Sequence, residues 1–175
     1  MSRTYKTEAF VLKRRNFGEA DKLLTIFTKH YGKINCLAKG IRKLTSRKGG
    51  NLELFNLVSV FLAKGKNLDI ISEVQTIDSY SGFRKDLVKV ATAFNCCKLV
   101  DLFNKEDQAN LQIFDLLKET LKKLENEQAL EDLSLNFKIE LLKASGFGLP
   151  NILNHTFVDE HISKIIEKKV KFFYV

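Results

Sequence analysis

The chain has 175 residues, of which 45% are hydrophobic and 29% are charged, and its formal net charge is +8. This length and composition fit one domain or two small ones with a buried core. The sequence has no apolar run near the roughly 18 residues of a membrane span, and its start lacks the apolar segment of a secretory signal. It therefore predicts a cytoplasmic protein without a membrane-spanning helix.

The first part of the chain has the pattern of short β-strands. The predicted strands cover residues 5–15, 21–29, 33–38, 52–63 and 68–77. The third strand alternates cleanly, with Ile34, Cys36 and Ala38 on one face and Lys33 and Asn35 on the other. Five short strands connected by turns predict a small closed β-barrel.

After Ser81 the apolar residues change to helical spacing. The predicted helices cover about residues 83–103, 107–124, 130–145 and 158–170. Asp107 is the predicted N-cap of the second helix, and Gly146 is the predicted stop of the third. The fold class is therefore α+β, with a barrel domain over residues 1–80 and an α-helical domain over residues 81–175.

The three cysteines, Cys36, Cys96 and Cys97, predict buried structural thiols. An odd, sparse count argues against a disulfide framework. Cys96 and Cys97 are adjacent on a predicted helix, where their side chains diverge by about 100°. Zinc ligands usually come as pairs a few residues apart, so we expect no metal site.

The positive charge is concentrated in the first fifty residues. This segment has thirteen Lys or Arg against three acidic residues, a net charge of +10, whereas residues 81–175 have fourteen of each sign. Residues 39–50 form a glycine-rich loop with five basic residues and no acidic one. Small barrels bind oligonucleotides through such strands and loops, and arginines suit phosphate contacts, so the segment predicts nucleic-acid binding.

Motifs that would indicate an enzyme are missing from the sequence. The Gly-Lys pairs lack the upstream glycine and the following Ser or Thr of a P-loop. His155 and His161 are too far apart for the histidine pair of a zinc protease helix, and there is no G-x-S-x-G nucleophile motif. The sequence predicts a protein that is not an enzyme and binds no cofactor.

One block of sequence strongly resembles a known family. Residues 18–33, GEADKLLTIFTKHYGK, are similar to the start of the bacterial recombination mediator family RecO. The similarity continues through LAKGIRK at residues 37–43 and FKIELLKASGF at residues 137–147, and it covers about residues 5–150. It implies an N-terminal OB-fold joined to a helical domain, in agreement with the predicted elements.

The resemblance also implies a function. RecO proteins bind single- and double-stranded DNA and anneal complementary strands without ATP. They act with RecR, engage the C-terminal tail of single-stranded-DNA-binding protein (SSB) and help to load RecA in gap repair. The resemblance thus implies these partners, and a bacterial, cytoplasmic and nucleoid-associated location.

The sequence departs from the family pattern after Pro150. Many members have a cysteine-bearing segment there, often a zinc module, followed by further helices. In this chain 25 residues without a cysteine follow Pro150. The sequence therefore predicts a compact form that lacks this segment and binds no zinc, with residues 158–173 as the family's final helix.

The hypothesis is that cations on the barrel screen two phosphate backbones at once, which lets complementary strands approach and pair. The candidate DNA contacts are Arg14, Arg15, Lys33, Lys39, Arg42, Lys43, Arg47 and Lys48. Phe17 and Tyr31, in predicted turns, are the expected exposed aromatics for base stacking. In the neutral helical domain, Lys89, Lys98 and Lys143 are candidates for pairing with the acidic SSB tail, or are plain surface lysines.

Two other functions fit the same charge pattern. A general OB-fold RNA-binding protein of ribosome or tRNA metabolism would look alike, because phosphates dominate both cases and contacts to the 2′-OH are not visible in sequence. A structural adaptor whose basic face binds an acidic protein is the third reading. Competition by short single-stranded DNA separates the adaptor from the other two.

Overall fold

The computed structural model describes residues 3–46 and 48–167. They form two compact units, which are described separately. The first comprises the residues up to Ser79 together with Asn104–Leu111, and the second comprises Tyr80–Phe103 and the residues from Gln112 onward. The division into a nucleic-acid-binding domain of residues 1–80 and an α-helical domain of residues 81–175 stays a prediction.

The first unit is a closed β-barrel. Its strands are β1 (Thr4–Phe17), β2 (Asp21–Thr28), β3 (Gly32–Ala38), β4 (Leu57–Ala63) and β5 (Asp69–Asp78). The order around the barrel is β1-β2-β3-β5-β4, with β1 and β4 paired antiparallel and β3 and β5 paired parallel. This five-stranded arrangement is that of an OB-fold.

Alternating side chains fill the barrel interior. The core includes Ala9, Val11, Leu24, Ile26, Ile34, Cys36, Val58, Val60, Leu62 and Ile71. Along β3 every second residue is buried, which confirms the alternation predicted for this strand. Full burial of one aliphatic side chain stabilises a fold by roughly 1.5–3 kcal/mol, so this apolar interior is the main source of the barrel's stability.

One predicted strand is shorter in the structure. The fourth strand was expected over residues 52–63, but β4 begins at Leu57. Phe55 has a φ of 73°, and the Asn56 side-chain amide donates a hydrogen bond to the carbonyl of Asn51 at 2.8 Å. Residues 51–56 therefore turn back on themselves, although their apolar side chains resemble those of a strand.

Four α-helices, preceded by a short 3-10 helix at Ser81–Phe83, lie in the described residues after the barrel. They are α1 (Leu87–Phe103), α2 (Leu111–Leu124), α3 (Leu130–Ala144) and α4 (His155–Ile165). Cys96 and Cys97 are buried on α1, as predicted. After α3 the chain turns at Gly146, whose φ is 76°, a conformation that favours glycine. The barrel and the helices together confirm the α+β fold class.

The ends of two helices differ from the prediction. Asp107 does not cap α2, because it has a φ of 57° and its backbone N–H donates to the carbonyl of Lys33 at 3.1 Å. The last helix begins at His155, where the Asn154 side chain accepts a hydrogen bond from the Phe157 N–H at 3.0 Å. Its predicted residues 168–170, and the rest of the stretch to 173, lie outside the described residues.

A buried ion pair ties α3 to α4. Lys138 is 2% exposed, and its Nζ lies 2.7 Å from Oδ1 of Asp159 and 3.4 Å from Nδ1 of His155. The other ring nitrogen of His155, Nε2, lies 3.0 Å from the carbonyl of Glu131. Because a carbonyl only accepts, Nε2 carries the proton and Nδ1 accepts from Lys138. The contacts compensate the buried ammonium and fix the start of α4.

Candidate nucleic-acid interface

The outer surface of β1, β2 and β3 collects cations from separate parts of the sequence. We call it the β1–β3 face, with members Lys13, Arg15, Leu23, Thr25, Lys33, Asn35, Leu37 and Lys39. In the strand register, Lys13 lies beside Thr25, and Thr25 lies beside Asn35. Because side chains alternate along a strand, the members on β1, β2 and β3 point away from the core, and Lys39, in the turn after β3, is exposed. OB-folds bind oligonucleotides on this face, so its position agrees with the predicted activity.

A β-bulge decides which basic residues of β1 point outward. The register between β1 and β2 shifts between Val11 and Lys13. Val11 points into the core, and plain alternation would turn Lys13 and Arg15 inward as well. The extra residue reverses this pattern, so that Lys13 and Arg15 are exposed. Sequence reasoning missed Lys13, although it stands in the same basic run as Arg14 and Arg15.

Arg14, a predicted DNA contact, is engaged within the barrel unit. Its Nη1 donates to Oε1 of Glu53 at 2.6 Å, and its Nη2 lies against Oε2 of the same carboxylate. This two-point geometry is the strongest form of an arginine–carboxylate pair. Arg14 therefore contributes much less positive field to a ligand than Arg15 does.

A chain of side-chain hydrogen bonds, called the polar relay, runs from β2 to β3 on the β1–β3 face and ends at an acidic residue. The Thr25 hydroxyl donates to Oδ1 of Asn35 at 2.8 Å, and the Asn35 amide donates to the carboxylate of Glu106. Glu106 lies in the segment that runs beside β3, where its backbone forms an isolated parallel β-bridge with Lys33. The relay fixes the orientation of Asn35 and places one negative charge at the β3 edge. Phosphates are therefore favoured on the β1 side of the face.

The 39–50 loop begins against the turn between β1 and β2. The Arg42 backbone N–H donates to the Ala20 carbonyl at 2.9 Å, and its Nη1 donates to the Gly18 carbonyl at 3.2 Å. Asp21 accepts a hydrogen bond from the Gly40 N–H at 2.7 Å. These contacts hold the cationic start of the loop, including the exposed Lys43, close to the end of β1.

The predicted contacts thus separate into several groups. Arg15, Lys33 and Lys39 belong to the β1–β3 face, and Arg42 and Lys43 lie at the β1–β2 turn. Lys48 lies elsewhere, because its Nζ donates to the carbonyl of Ile71 on β5 at 2.8 Å. Arg47 lies outside the described residues.

Two aromatic side chains predicted to be exposed are accessible. Phe17, at the end of β1, is 48% exposed, and Tyr31, in the turn after β2, is 43% exposed. The Tyr31 ring packs on Tyr5 with 4.6 Å between centroids, and the Tyr5 hydroxyl donates to Asp69. Burial and this hydrogen bond raise the pKa of Tyr5 above its usual value, so it remains a donor. Both exposed rings are suitable stacking surfaces for bases.

The lysines suggested for the SSB tail differ in environment. Lys89 is 7% exposed, and its Nζ donates to the carbonyl of Glu125 at 3.2 Å. Lys143 is exposed and forms an ion pair with Glu140 at 2.7 Å, while Lys98 is half-buried. Lys89 therefore serves the packing of the helical unit, and Lys143 is the most accessible of the three.

Within residues 3–46 and 48–167, no cluster of His, Cys, Asp or Glu has the three or more members that could hold a metal ion. Over the same residues, no helix combines the length and apolarity needed to cross a membrane. Burial raises the pKa of the Cys36 thiol and of the Cys96 thiol to about 12. These cysteines are therefore protonated at neutral pH.

The barrel topology and the composition of its outer face define an OB-fold protein with a separate helical unit. The model named "Recombination protein O N terminal" matches residues 1–80, and the model named "Recombination protein O C terminal" matches residues 84–151. The chain belongs to the RecO family, which confirms the resemblance in its sequence.

Curated relatives agree with this assignment. A protein of Dehalococcoides mccartyi named "DNA repair protein RecO" is 40% identical over 143 residues, which are 82% of this chain and 56% of the relative. Proteins of the same name from a Roseiflexus species and from Alkaliphilus metalliredigens are 38% and 34% identical, over 83% and 81% of this chain and 51% and 58% of their own lengths. The chain thus spans about half the length of the curated relatives it matches.

Proposed function

We propose that the chain is a DNA repair and recombination mediator. In this proposal it binds single- and double-stranded DNA, anneals complementary strands without ATP, and assists RecA loading with RecR on SSB-coated DNA. Membership of the RecO family and the names of the relatives support a repair role. The observation that carries the proposal is the β1–β3 face, where Lys13, Arg15 and Lys39 lie on the surface that OB-folds use for oligonucleotides.

The proposed mechanism is electrostatic. Phosphates of one strand lie along the cations of the β1–β3 face and the β1–β2 turn, and release their counterions. The lower net charge of the bound strand reduces its repulsion of a complementary strand, and Phe17 and Tyr31 hold bases unstacked from their own neighbours. Base pairing then supplies the free energy, so the reaction needs neither a nucleotide nor a catalytic group.

The helical unit is proposed to receive the protein partners. It exposes the aromatic side chains Phe94, Phe147 and Phe157, which are 38%, 42% and 44% exposed. An acidic tail that ends in an aromatic residue would find apolar contacts there, and it would have to displace Glu140 from Lys143 to reach that cation. Complex formation with SSB should be lost when that tail is deleted, and a complex that survives the deletion would argue against this assignment.

The test is annealing of two complementary labelled oligonucleotides, with and without SSB coating, across a salt series. We expect fast annealing at low salt that slows steeply as salt rises and that persists on SSB-coated strands. Heat-denatured chain and a buffer blank give the spontaneous rate.

Three outcomes would contradict the proposal. Binding without annealing would reduce the chain to a DNA-binding module. A clear preference for RNA in a parallel titration would favour the RNA-binding alternative. An acidic protein partner that short single-stranded DNA does not displace would favour an adaptor.

A further inference from the structure

The barrel has a concave surface on the outer side of β1, β4 and β5. We call it the β4–β5 groove, and its volume is about 700 Å³. It is lined by Lys6, Lys48, Ser59, Phe61, Ser72, Glu73, Val74 and Gln75. The groove combines an aromatic ring, two ammonium groups, two hydroxyls, an amide and a carboxylate, a set that can contact both the base and the phosphate of a nucleotide.

The strand register arranges these groups in two rows. Lys6 lies beside Phe61, and Phe61 lies beside Glu73. Two residues along the strands, in the neighbouring row of outward-facing side chains, Ser59 lies beside Gln75. The half-buried Phe61 ring is therefore flanked by a cation on β1 and by hydrogen-bonding side chains on β5.

A bulge in β5 builds one wall of the groove. The pairing of β4 with β5 shifts at Phe61 and Leu62, which leaves Ser72 as the extra residue. The Ser72 hydroxyl donates to the Phe61 carbonyl at 2.9 Å, and Lys48 Nζ donates to the Ile71 carbonyl at 2.8 Å. Lys48 is thus positioned by a specific contact, and its ammonium group has further N–H donors for a phosphate.

The closed strand order separates this groove from the β1–β3 face. Around the barrel β2 is flanked by β1 and β3, and the two remaining strands, β4 and β5, close the opposite side. A strand bound on the outside of β2 therefore cannot occupy the β4–β5 groove without passing around the barrel. Two separate segments of nucleic acid can be bound at once.

We propose that the β4–β5 groove binds a second segment of single-stranded DNA. The inference rests on the proposed function and adds a site for the second strand of the annealing reaction. A base stacks on Phe61 and its phosphates contact Lys6 and Lys48. Glu73 accepts from an exocyclic amino group, as carboxylates do from cytosine N4, so the groove favours cytosine over thymine. Holding two strands on one barrel raises the local concentration of each for the other.

The test is an amide NMR titration of the full chain with an oligodeoxycytidylate of about six nucleotides, near the lower end of OB-fold site sizes. We expect two sets of shifts that saturate separately, one at Thr25 and Asn35 and one at Ser59 and Gln75. Lys6→Gln and Phe61→Leu should weaken the second set by about 5- to 50-fold and leave the first unchanged. Lys118→Gln, on an exposed position of α2, is the matched control and should change neither.

The outcomes separate this inference from the proposed function. Shifts at Thr25 and Asn35 without any at Ser59 and Gln75 would overturn the groove and leave the proposed function standing. Shifts at Ser59 and Gln75 without any at Thr25 and Asn35 would overturn the β1–β3 face as the main site, and with it the proposal that the groove holds a second strand. If neither set moves, both proposals fail. Equal binding of oligothymidylate, with no effect of Glu73→Gln, would remove the role of Glu73 in base choice and contradict the proposal as stated.

Discussion

Arg14 and Glu53 form a two-point ion pair that joins the end of β1 to the segment before β4. Both side chains are partly exposed, at 25% and 44%. Arg14 stands in a basic run of the sequence, but this pair binds its guanidinium to a carboxylate of the same unit.

Replacing Glu53 by Gln should release Arg14 toward a bound phosphate. We expect the magnitude of the log–log salt slope for single-stranded DNA to grow by about 0.7, the value for one added phosphate contact. The lost pair should reduce the free energy of unfolding by about 1 kcal/mol, because solvent still reaches both side chains and weakens the two-point contact. Fluorescence anisotropy over a salt series and urea denaturation measure the two effects. An unchanged slope would show that Arg14 does not reach the ligand.

Removing cations from the β1–β3 face should weaken DNA binding without unfolding the chain. Arg15→Gln and Lys13→Gln should each reduce the magnitude of the salt slope by about 0.7 and weaken all sequences alike. Arg14→Gln should change the slope much less, because its charge is already paired. Anisotropy titrations with several oligonucleotide sequences distinguish these cases. Equal effects at Arg14 and Arg15 would argue against the assignment, based on the bulge, of Arg14 as inward-facing and Arg15 as outward-facing.

Gly32→Ala should destabilise the chain far more than Gly18→Ala. Both glycines have positive φ, 73° and 56°. A Cβ at Gly32 would lie 2.3 Å from the backbone of Gln108, whereas a Cβ at Gly18 would have no heavy atom within 4 Å. We expect a loss of about 1 kcal/mol at Gly18 from backbone strain alone and roughly 2–4 kcal/mol at Gly32. Urea denaturation of both variants measures this, and equal losses would exclude the close approach of residue 108 to β3.

The ion pair of Lys138 with Asp159 should be costly to break and easy to replace. Asp159→Asn leaves a buried ammonium without its carboxylate, so we expect a loss of roughly 3 kcal/mol in the free energy of unfolding. The double variant Lys138→Met with Asp159→Leu removes both charges and should recover most of that loss. Chemical denaturation of the two variants provides the comparison. A double variant as unstable as Asp159→Asn would show that the stability is lost through poorer packing of α4 and not through the unpaired charge.

The buried thiols should make stability fall in alkaline solution. Burial raises the pKa of Cys36 and of Cys96 to about 12 and raises that of Cys97 as well. In the unfolded chain thiols ionise near pH 8.5, so above about that pH the unfolded state releases protons that the folded state keeps. Stability therefore declines as pH rises from there toward 12, and below that range the thiols add no pH dependence.

Urea denaturation at about pH 8 and pH 9.5 measures this decline before tyrosines ionise. Cys36→Ala should show a smaller decline than the wild-type chain, whatever its stability at the lower pH. A decline of the same size in the variant would falsify the role of Cys36. In the folded chain, labelling by a thiol reagent should be limited by unfolding.

Much of the barrel followed from local patterns. The alternation of Ile34, Cys36 and Ala38 identified a strand with one buried face, because side chains alternate by residue whatever the neighbouring strand is. The stop at Gly146 likewise follows from a glycine in a conformation that other residues avoid. The prediction that Asp107 caps α2 was wrong because aspartate is common both at helix N-caps and in turns. Only the hydrogen bond from its backbone N–H to the Lys33 carbonyl shows that it belongs to a turn.

The sequence by itself determined the fold class, the family, the concentration of positive charge in the first fifty residues and the exposure of Phe17 and Tyr31. These depend on composition, period and turn chemistry, which are local. Tertiary structure decided which cations act together. The bulge after Val11 turns Arg15 outward and Arg14 inward, and Lys48 reaches the carbonyl of Ile71 on β5. Strand register pairs residues that are far apart in sequence, and a shift of one residue moves every side chain to the opposite face of the sheet. The register therefore cannot be predicted from the local sequence pattern.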